Sequence, residues 1–86
     1  MYEVILSNEA AEFFDSAVRP LSSKLARCFA QLEAEPRRNN NVKALAGEFK
    51  GYFRYRVGDY RVVYRIDEAK QQVLVAMIAH RSEVYE

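Results

Sequence analysis

The chain has 86 residues, of which 50% are hydrophobic and 29% charged, and a formal net charge of +1; this composition predicts one small globular domain over residues 1–86 and excludes a disordered chain. The absence of any apolar run of about 18 residues excludes a membrane-spanning helix, and one cysteine with one histidine excludes an internal disulfide and a zinc site. The first ten residues lack a basic cluster, which argues against a signal peptide, so we expect a cytoplasmic protein.

The first half of the chain predicts one strand followed by two helices. The β-rich sequence YEVIL at residues 2–6 is typical of a strand. A helix then follows over NEAAEFFDSAV, because its apolar residues recur at helical spacing, and Ser7 or Asn8 is its predicted N-cap. Pro20 ends this helix or begins the next one, over LSSKLARCFAQLEAE, which Pro36 ends.

The segment from residue 51 to residue 66 changes to a period of two, which predicts strands. Gly58 and Asp59 lie between two alternating runs and predict a two-residue hairpin turn. Counting outward from this turn pairs Val57 with Tyr60, and each further pair follows in register. One face, here called the arginine face, carries Tyr52, Arg54, Arg56, Arg61, Val63 and Arg65. The other, the aromatic face, carries Phe53, Tyr55, Val57, Tyr60, Val62, Tyr64 and Ile66. We expect the helices to cover the aromatic face.

The remaining segments complete the predicted fold. VLVAMIA at residues 73–79 is an apolar run typical of a buried strand, whereas VKALAGEF at residues 42–49 is ambiguous. Cys28 lies on the apolar stripe of the second helix, so we expect a buried thiol. The order of elements predicts an α+β fold, in which an N-terminal strand and two helices precede a three-strand antiparallel meander and the helices pack on one face of the sheet.

The arginine face raises the question of function. Residues 37–65 contain eight basic and two acidic residues in a chain that is nearly neutral as a whole. Arg56 and Arg61 are predicted to lie opposite each other, where they repel unless an anion separates them. A guanidinium suits phosphate, because its planar fork donates two parallel hydrogen bonds. Two interpretations follow: a solvated strand face, or an RNA groove in which Tyr52, with His80 or Tyr85, stacks on bases.

Three sequence pieces in the second half carry a family resemblance. They are LAG at residues 45–47, YRVGDYRVVYRI at residues 55–66 and HRSEVY at residues 80–85. Together and in this order they resemble the RelE toxins of the RelE/ParE superfamily of bacterial and archaeal toxin–antitoxin systems. The resemblance implies an endoribonuclease toxin that cuts mRNA in the ribosomal A site and is silenced by a cognate antitoxin. It also implies attack of a ribose 2′-OH on the adjacent phosphate without a metal or a cofactor.

Four residues match catalytic positions of that family. Arg61 matches the sheet arginine that binds the scissile phosphate, and Arg54 falls where these toxins place a basic residue on the preceding strand. Arg81 matches the basic residue that protonates the leaving oxygen or clamps the transition state. Tyr85 matches the tyrosine that stacks on a base and aligns the attacking group. Both Arg61 and Arg81 are expected to be exposed. The predicted RNA-binding residues are Arg56, Arg65, Tyr52, Lys50 and His80.

The proton acceptor and two other functions stay open. The arginine face has no lysine, and arginine keeps its proton, so the candidate bases are His80, Glu48 and Glu83. His80 comes first among them because imidazole titrates near neutral pH. One alternative function is a ParE-like toxin that inhibits DNA gyrase without cutting RNA. The other is a protein-binding module whose sheet or helices dock a partner helix.

Overall fold

The computed structural model describes residues 1–84, which form one five-stranded sheet with two α-helices and two short 3₁₀ helices. The elements are β1 Glu3–Leu6, α1 Asn8–Ser16, α2 Leu21–Ala34, β2 Val42–Ala44, β3 Phe53–Val57, β4 Tyr60–Asp67 and β5 Gln72–His80. The 3₁₀ helices cover Gly47–Phe49 and Arg81–Glu83. Within residues 1–84, no helix is both long and apolar enough to cross a membrane.

The sheet has the strand order β1-β5-β4-β3-β2. Strand β1 runs parallel to β5, and the other neighbours are antiparallel. The predicted α+β fold, with its N-terminal strand, two helices and antiparallel meander, is therefore confirmed. The structure adds strand β2, which lies in the segment whose sequence was ambiguous.

Both helices begin where the sequence provides a start signal. The N-cap of α1 is Ser7 rather than Asn8, because the Ser7 hydroxyl oxygen accepts from the Ala10 N–H at 3.1 Å. The same hydroxyl donates to the Ala76 carbonyl at 2.6 Å, which joins the start of α1 to β5. Pro20 takes the second of its two predicted roles, since it is the N-cap of α2.

The hairpin register is the predicted one in all five pairs, from Val57 with Tyr60 to Phe53 with Tyr64. Gly58 adopts a φ of 58°, a conformation that L side chains rarely take and that the first position of a type II′ turn requires. The turn therefore fixes which side chains share a face, and the arginine and aromatic faces exist as predicted.

The main core lies between the helices and the aromatic face. Its buried members are Ala10, Leu25, Cys28, Leu32, Tyr55, Val57, Val62, Tyr64, Val73, Val75 and Ile78. Tyr64 is fully buried and stacks on Phe53 with ring centroids 5.7 Å apart. The Tyr64 hydroxyl donates to the Pro36 carbonyl at 2.6 Å, so this polar group is satisfied inside the core. The predictions that the helices cover this face and that Cys28 is buried are confirmed.

A second apolar cluster covers part of the arginine face. Its buried members are Leu45, Val63, Ala79 and Val84, with Phe49, Tyr52 and Met77 packed against them. Because Val63 and Ala79 belong to the sheet, Leu45 brings the loop before β3 onto this face, and Val84 brings the residue that follows the second 3₁₀ helix. The arginine face is therefore partly covered, and water reaches only some of its arginines.

Candidate functional site

A cleft of about 540 Å³ opens at the tip of the β3–β4 hairpin. Helix α2, the end of β3, the turn, the start of β4 and the segment after β5 all contribute to its walls. The charged residues that line it are Lys24, Arg27, Arg56, Asp59, Arg61 and Arg81. With five basic side chains and one acidic side chain, the cleft favours an anionic ligand.

Arg61 lies under the hairpin turn and is only 8% exposed. Its Nη1 donates to the Gly58 carbonyl at 3.0 Å and to the Tyr60 carbonyl at 2.9 Å. The prediction that Arg61 is exposed is therefore wrong. It lies on a central strand, between Arg56 on β3 and Ala79 on β5, and its guanidinium donates to the backbone of the turn. Arg61 thus holds the turn together and also places a fixed positive charge beside the cleft.

Arg81 lies on the other side of the same turn. Its backbone N–H donates to the Asp59 carbonyl at 2.8 Å, which fixes the start of the second 3₁₀ helix against the hairpin. Its Nε lies 3.9 Å from Asp59 Oδ1, and the two side chains are 64% and 71% exposed. An ion pair with so long a distance and so much solvent exposure contributes little to stability. The Arg81 side chain can therefore leave Asp59 and turn towards a ligand at little cost.

The other three arginines of the predicted face separate into different surroundings. Arg56 is exposed, lies directly opposite Arg61 and lines the cleft. Arg54 is half-buried and does not line the cleft itself, but its Nη1 donates to the carbonyl of Asn41, which does. Arg65 is exposed but pairs with Leu74, towards the end of the hairpin away from the turn. The structure therefore brings Arg56, Arg61 and Arg81 together in the lining of the cleft, whereas Arg54 and Arg65 are not part of that lining.

His80 lies away from the cleft, on the aromatic face. It sits opposite Tyr60, and the two rings meet edge to face with centroids 5.6 Å apart. Its Nδ1 accepts from the Ser82 backbone N–H at 3.2 Å and lies 2.9 Å from the Ser82 hydroxyl. His80 lines a separate groove, whose charged members are the acidic residues Glu9, Glu12 and Glu83.

The remaining predicted site residues also lie outside the cleft lining. Tyr52 packs edge to face on Phe49 at 6.4 Å within the second apolar cluster, so its ring is engaged in packing. Lys50 and Glu48 are exposed around the first 3₁₀ helix. Tyr85 lies outside the described residues, so its predicted role stays a prediction.

Two basic residues of the cleft were not predicted from the sequence. Lys24 and Arg27 lie three positions apart on α2, and this spacing places them on one face of the helix. Both are exposed. The signal was a pair of basic residues in a half of the chain that is otherwise acidic, but only the packing of α2 against β3 shows that they face the hairpin tip.

Cys28 also contacts the cleft, from its floor. Its side chain is 2% exposed, and burial raises the pKa of the thiol to about 12. A thiol held in its protonated form is a poor nucleophile. We therefore do not assign a role in covalent catalysis to Cys28.

The comparisons with known proteins decide the family. Residues 4–85 match a family model described as the ParE toxin of the type II toxin–antitoxin system parDE. This chain belongs to the RelE/ParE family of toxins. Toxin RelG of Mycobacterium tuberculosis (strain ATCC 25618 / H37Rv) is 36% identical to it over 67 residues, which are 78% of this chain and 75% of the relative.

Solved structures support the same assignment of this toxin. A chain of the RelBE2 toxin–antitoxin complex from Mycobacterium tuberculosis is 27% identical, with a TM-score of 0.79 over 93% of this chain and 98% of that chain. A chain of the archaeal RelE–RelB complex from Pyrococcus horikoshii OT3 has a TM-score of 0.81 over 96% of this chain and 98% of that chain. Its identity of 23% shows a shared fold. The predicted membership of the RelE/ParE superfamily is confirmed.

Proposed function

We propose that this toxin is an endoribonuclease that cuts mRNA in the ribosomal A site, and that the hairpin-tip cleft holds the scissile phosphate. The observation that carries the proposal is the convergence of five basic side chains from four parts of the chain on one cleft. Residues so distant in sequence meet only through the fold, and like charges held together in this way are stabilised by an anion bound among them.

The reaction that fits such a cleft is attack of a ribose 2′-OH on the adjacent phosphate. Negative charge builds up on the phosphate oxygens in the transition state, and fixed guanidinium groups stabilise it. Arg56 and Arg81 are exposed at the cleft wall and contact the phosphate, while Arg61, which the turn holds in place, supplies a fixed positive potential. Orientation of the 2′-OH in line with the leaving oxygen lowers the barrier further. Neither a metal nor a cofactor takes part in this reaction.

Helix α2 adds two basic residues to the cleft, which allows it to bind more than one phosphate of the RNA. Lys24 and Arg27 line the cleft from α2, whereas Arg56 lines it from β3 and Arg81 from the second 3₁₀ helix. A strand of several nucleotides has successive phosphates that can contact basic residues from different elements. This arrangement favours a polynucleotide over a mononucleotide as the ligand.

A cognate antitoxin is the proposed protein partner. Support comes from the family, which belongs to type II toxin–antitoxin systems, and from two structural relatives that were solved as toxin–antitoxin complexes. Co-expression with small adjacent genes tests this part. We expect one of them to restore growth, and failure of every adjacent small gene to do so would contradict it.

Controlled expression of the toxin in a bacterial host tests the endoribonuclease proposal. We expect growth arrest together with cuts in cellular mRNA, mapped by primer extension. Arg81→Ala should abolish both effects with the fold retained, because its side chain is 64% exposed. Glu48→Gln is the matched control, since it changes an exposed charge outside the cleft lining. Growth arrest with intact transcripts would contradict the proposal.

Inhibition of DNA gyrase is the second candidate function, and one observation favours it: the matching family model describes the ParE toxin. A gyrase inhibitor would leave mRNA intact and block the supercoiling of relaxed plasmid by the purified enzyme. The two assays on one toxin preparation therefore separate the candidates. We expect mRNA cleavage with supercoiling unaffected.

A further inference from the structure

The proposed reaction needs a group that takes the proton from the attacking 2′-OH, and none of the three candidates that the sequence offered lines the cleft. His80 uses Nδ1 to accept from the Ser82 N–H and lies in the separate acidic groove. Glu83 lines that same groove. Glu48 is exposed on the first 3₁₀ helix, outside the cleft lining. Within residues 1–84, Asp59 supplies the carboxylate that does line the cleft.

Asp59 is also placed where the phosphate is expected. Arg61 donates to the carbonyls of Gly58 and Tyr60, the two residues that flank Asp59. Arg81 donates its backbone N–H to the Asp59 carbonyl, and its Nε lies 3.9 Å from Oδ1. Asp59 thus belongs to the turn that contacts both arginines of the proposed site, and its carboxylate lies beside Arg81. At 71% exposure it is also reachable by a bound ribose.

We propose that the Asp59 carboxylate accepts the 2′-OH proton in the RNA cleavage proposed above, on which this inference rests. The proton passes from the 2′ oxygen to Asp59 as that oxygen forms its bond to phosphorus. The bond from phosphorus to the 5′ oxygen breaks, and the leaving oxygen takes a proton from water at the mouth of the cleft. The products are a 2′,3′-cyclic phosphate and a 5′-hydroxyl, and Asp59 then returns its proton to solvent.

A positioning role for Asp59 is the competing explanation, because its carboxylate also pairs with Arg81. Asp59→Asn separates the two roles. The amide keeps an oxygen that can accept a hydrogen bond from Arg81, but it cannot take up a proton. It also removes a negative charge from the cleft, so binding of RNA should be unchanged or tighter. A base role therefore predicts a loss of rate without a loss of affinity.

The experiment is single-turnover cleavage of a defined mRNA bound to ribosomes, with wild type, Asp59→Asn, Asp59→Glu and the control Glu48→Gln. We expect Asp59→Asn to lower the cleavage rate constant about 100-fold to 10,000-fold, as loss of a general base does. We expect Asp59→Glu, which keeps a carboxylate, to recover part of the rate and Glu48→Gln to match wild type. Binding is measured with the same mRNA carrying a 2′-deoxy nucleotide at the cut site, and we expect equal or higher affinity for Asp59→Asn.

The pH dependence supplies a readout that a positioning role does not change. With Asp59 as proton acceptor the reaction does not depend on hydroxide, so the wild-type rate should change less with pH than the rate of Asp59→Asn. Without the carboxylate, hydroxide must take the proton, and the Asp59→Asn rate should rise about tenfold per pH unit. Thermal unfolding shows whether each variant is folded. If Asp59→Asn is not folded, the pH profiles of wild type and Asp59→Glu decide between the base role and the positioning role.

The possible outcomes distinguish failure of the base role from failure of the endoribonuclease proposal. Wild-type rates in Asp59→Asn, or a slowed variant with a flat pH profile and weaker binding, would overturn the base role and leave the endoribonuclease proposal standing. A wild-type toxin that leaves ribosome-bound mRNA intact would overturn the endoribonuclease proposal, and this inference with it, before any Asp59 variant is compared.

Discussion

Replacement of Arg61 by alanine tests whether this arginine stabilises the fold as well as the cleft. The side chain is 8% exposed and donates two hydrogen bonds, at 3.0 Å and 2.9 Å, to carbonyls of the turn. A hydrogen bond from a charged group contributes about 1.5–3 kcal/mol, and water can replace part of it once the side chain is shortened. We therefore expect Arg61→Ala to lower the free energy of unfolding by about 2–4 kcal/mol. For a domain of this size, Tm then falls by roughly 8–30 °C.

The matched control is Arg56→Ala, which removes the guanidinium directly opposite Arg61 on the same face. Arg56 is exposed, so its loss should change the free energy of unfolding by less than about 0.5 kcal/mol. Urea unfolding with linear extrapolation measures both. Equal stability of the two variants would refute the structural role of Arg61. Because an unstable Arg61 variant loses toxicity for either reason, its cleavage activity must be measured at a temperature where unfolding curves show that it is folded.

Three further predictions follow from other parts of the structure. Burial raises the pKa of Cys28 from 9.0 to about 12, so the contribution of this thiol to the free energy of unfolding should be full below pH 9 and fall as pH rises towards 12. The fall in the free energy of unfolding should be shallower in Cys28→Ala, and equal slopes for the two proteins would contradict this prediction. Tyr64→Phe leaves the Pro36 carbonyl without its donor and should cost about 1–2 kcal/mol in urea unfolding, whereas an unchanged midpoint would show that this bond contributes nothing. The double variant Lys24→Ala/Arg27→Ala should reduce the slope of log K against log salt for single-stranded RNA by about 1.4, and an unchanged slope would mean that neither residue contacts phosphate.

The hairpin is the part of the fold that local sequence determines most closely. Gly58 permits the positive φ of the turn, and the alternation on both sides leaves only one register that buries the aromatic face. Every side chain of β3, and every side chain of β4 up to Ile66, was therefore assigned to its face from the sequence. Strand β2 is only three residues long and pairs with β3 alone, so neither its length nor its composition set it apart from a loop.

Exposure on the arginine face could not be predicted in the same way. Alternation assigns Arg61 to a face, but it does not say what covers that face. Arg61 donates to the backbone of the turn, and the second apolar cluster brings Leu45 and Val84, which are far apart in the chain, onto the same face. Such contacts depend on tertiary packing, and they also explain why Tyr52 packs internally.

The composition of the cleft was partly predictable for the same reason. Arg56, Arg61 and Arg81 were candidates from the strand pattern and the family resemblance. Lys24, Arg27 and Asp59 were not, because their roles depend on how α2 and the turn approach each other in space. In the sequence, a carboxylate in a turn has an ordinary structural explanation, and only its place in the cleft lining beside Arg81 suggests a chemical one.

Mapping the ends of a defined mRNA after incubation with the purified toxin on ribosomes tests the central claim most directly. We predict one or a few cuts that leave a 2′,3′-cyclic phosphate and a 5′-hydroxyl, and none with an Arg56→Ala/Arg81→Ala variant whose unfolding curve matches wild type. An mRNA that stays intact under wild-type toxin, in a preparation that blocks DNA supercoiling by gyrase, would contradict the claim.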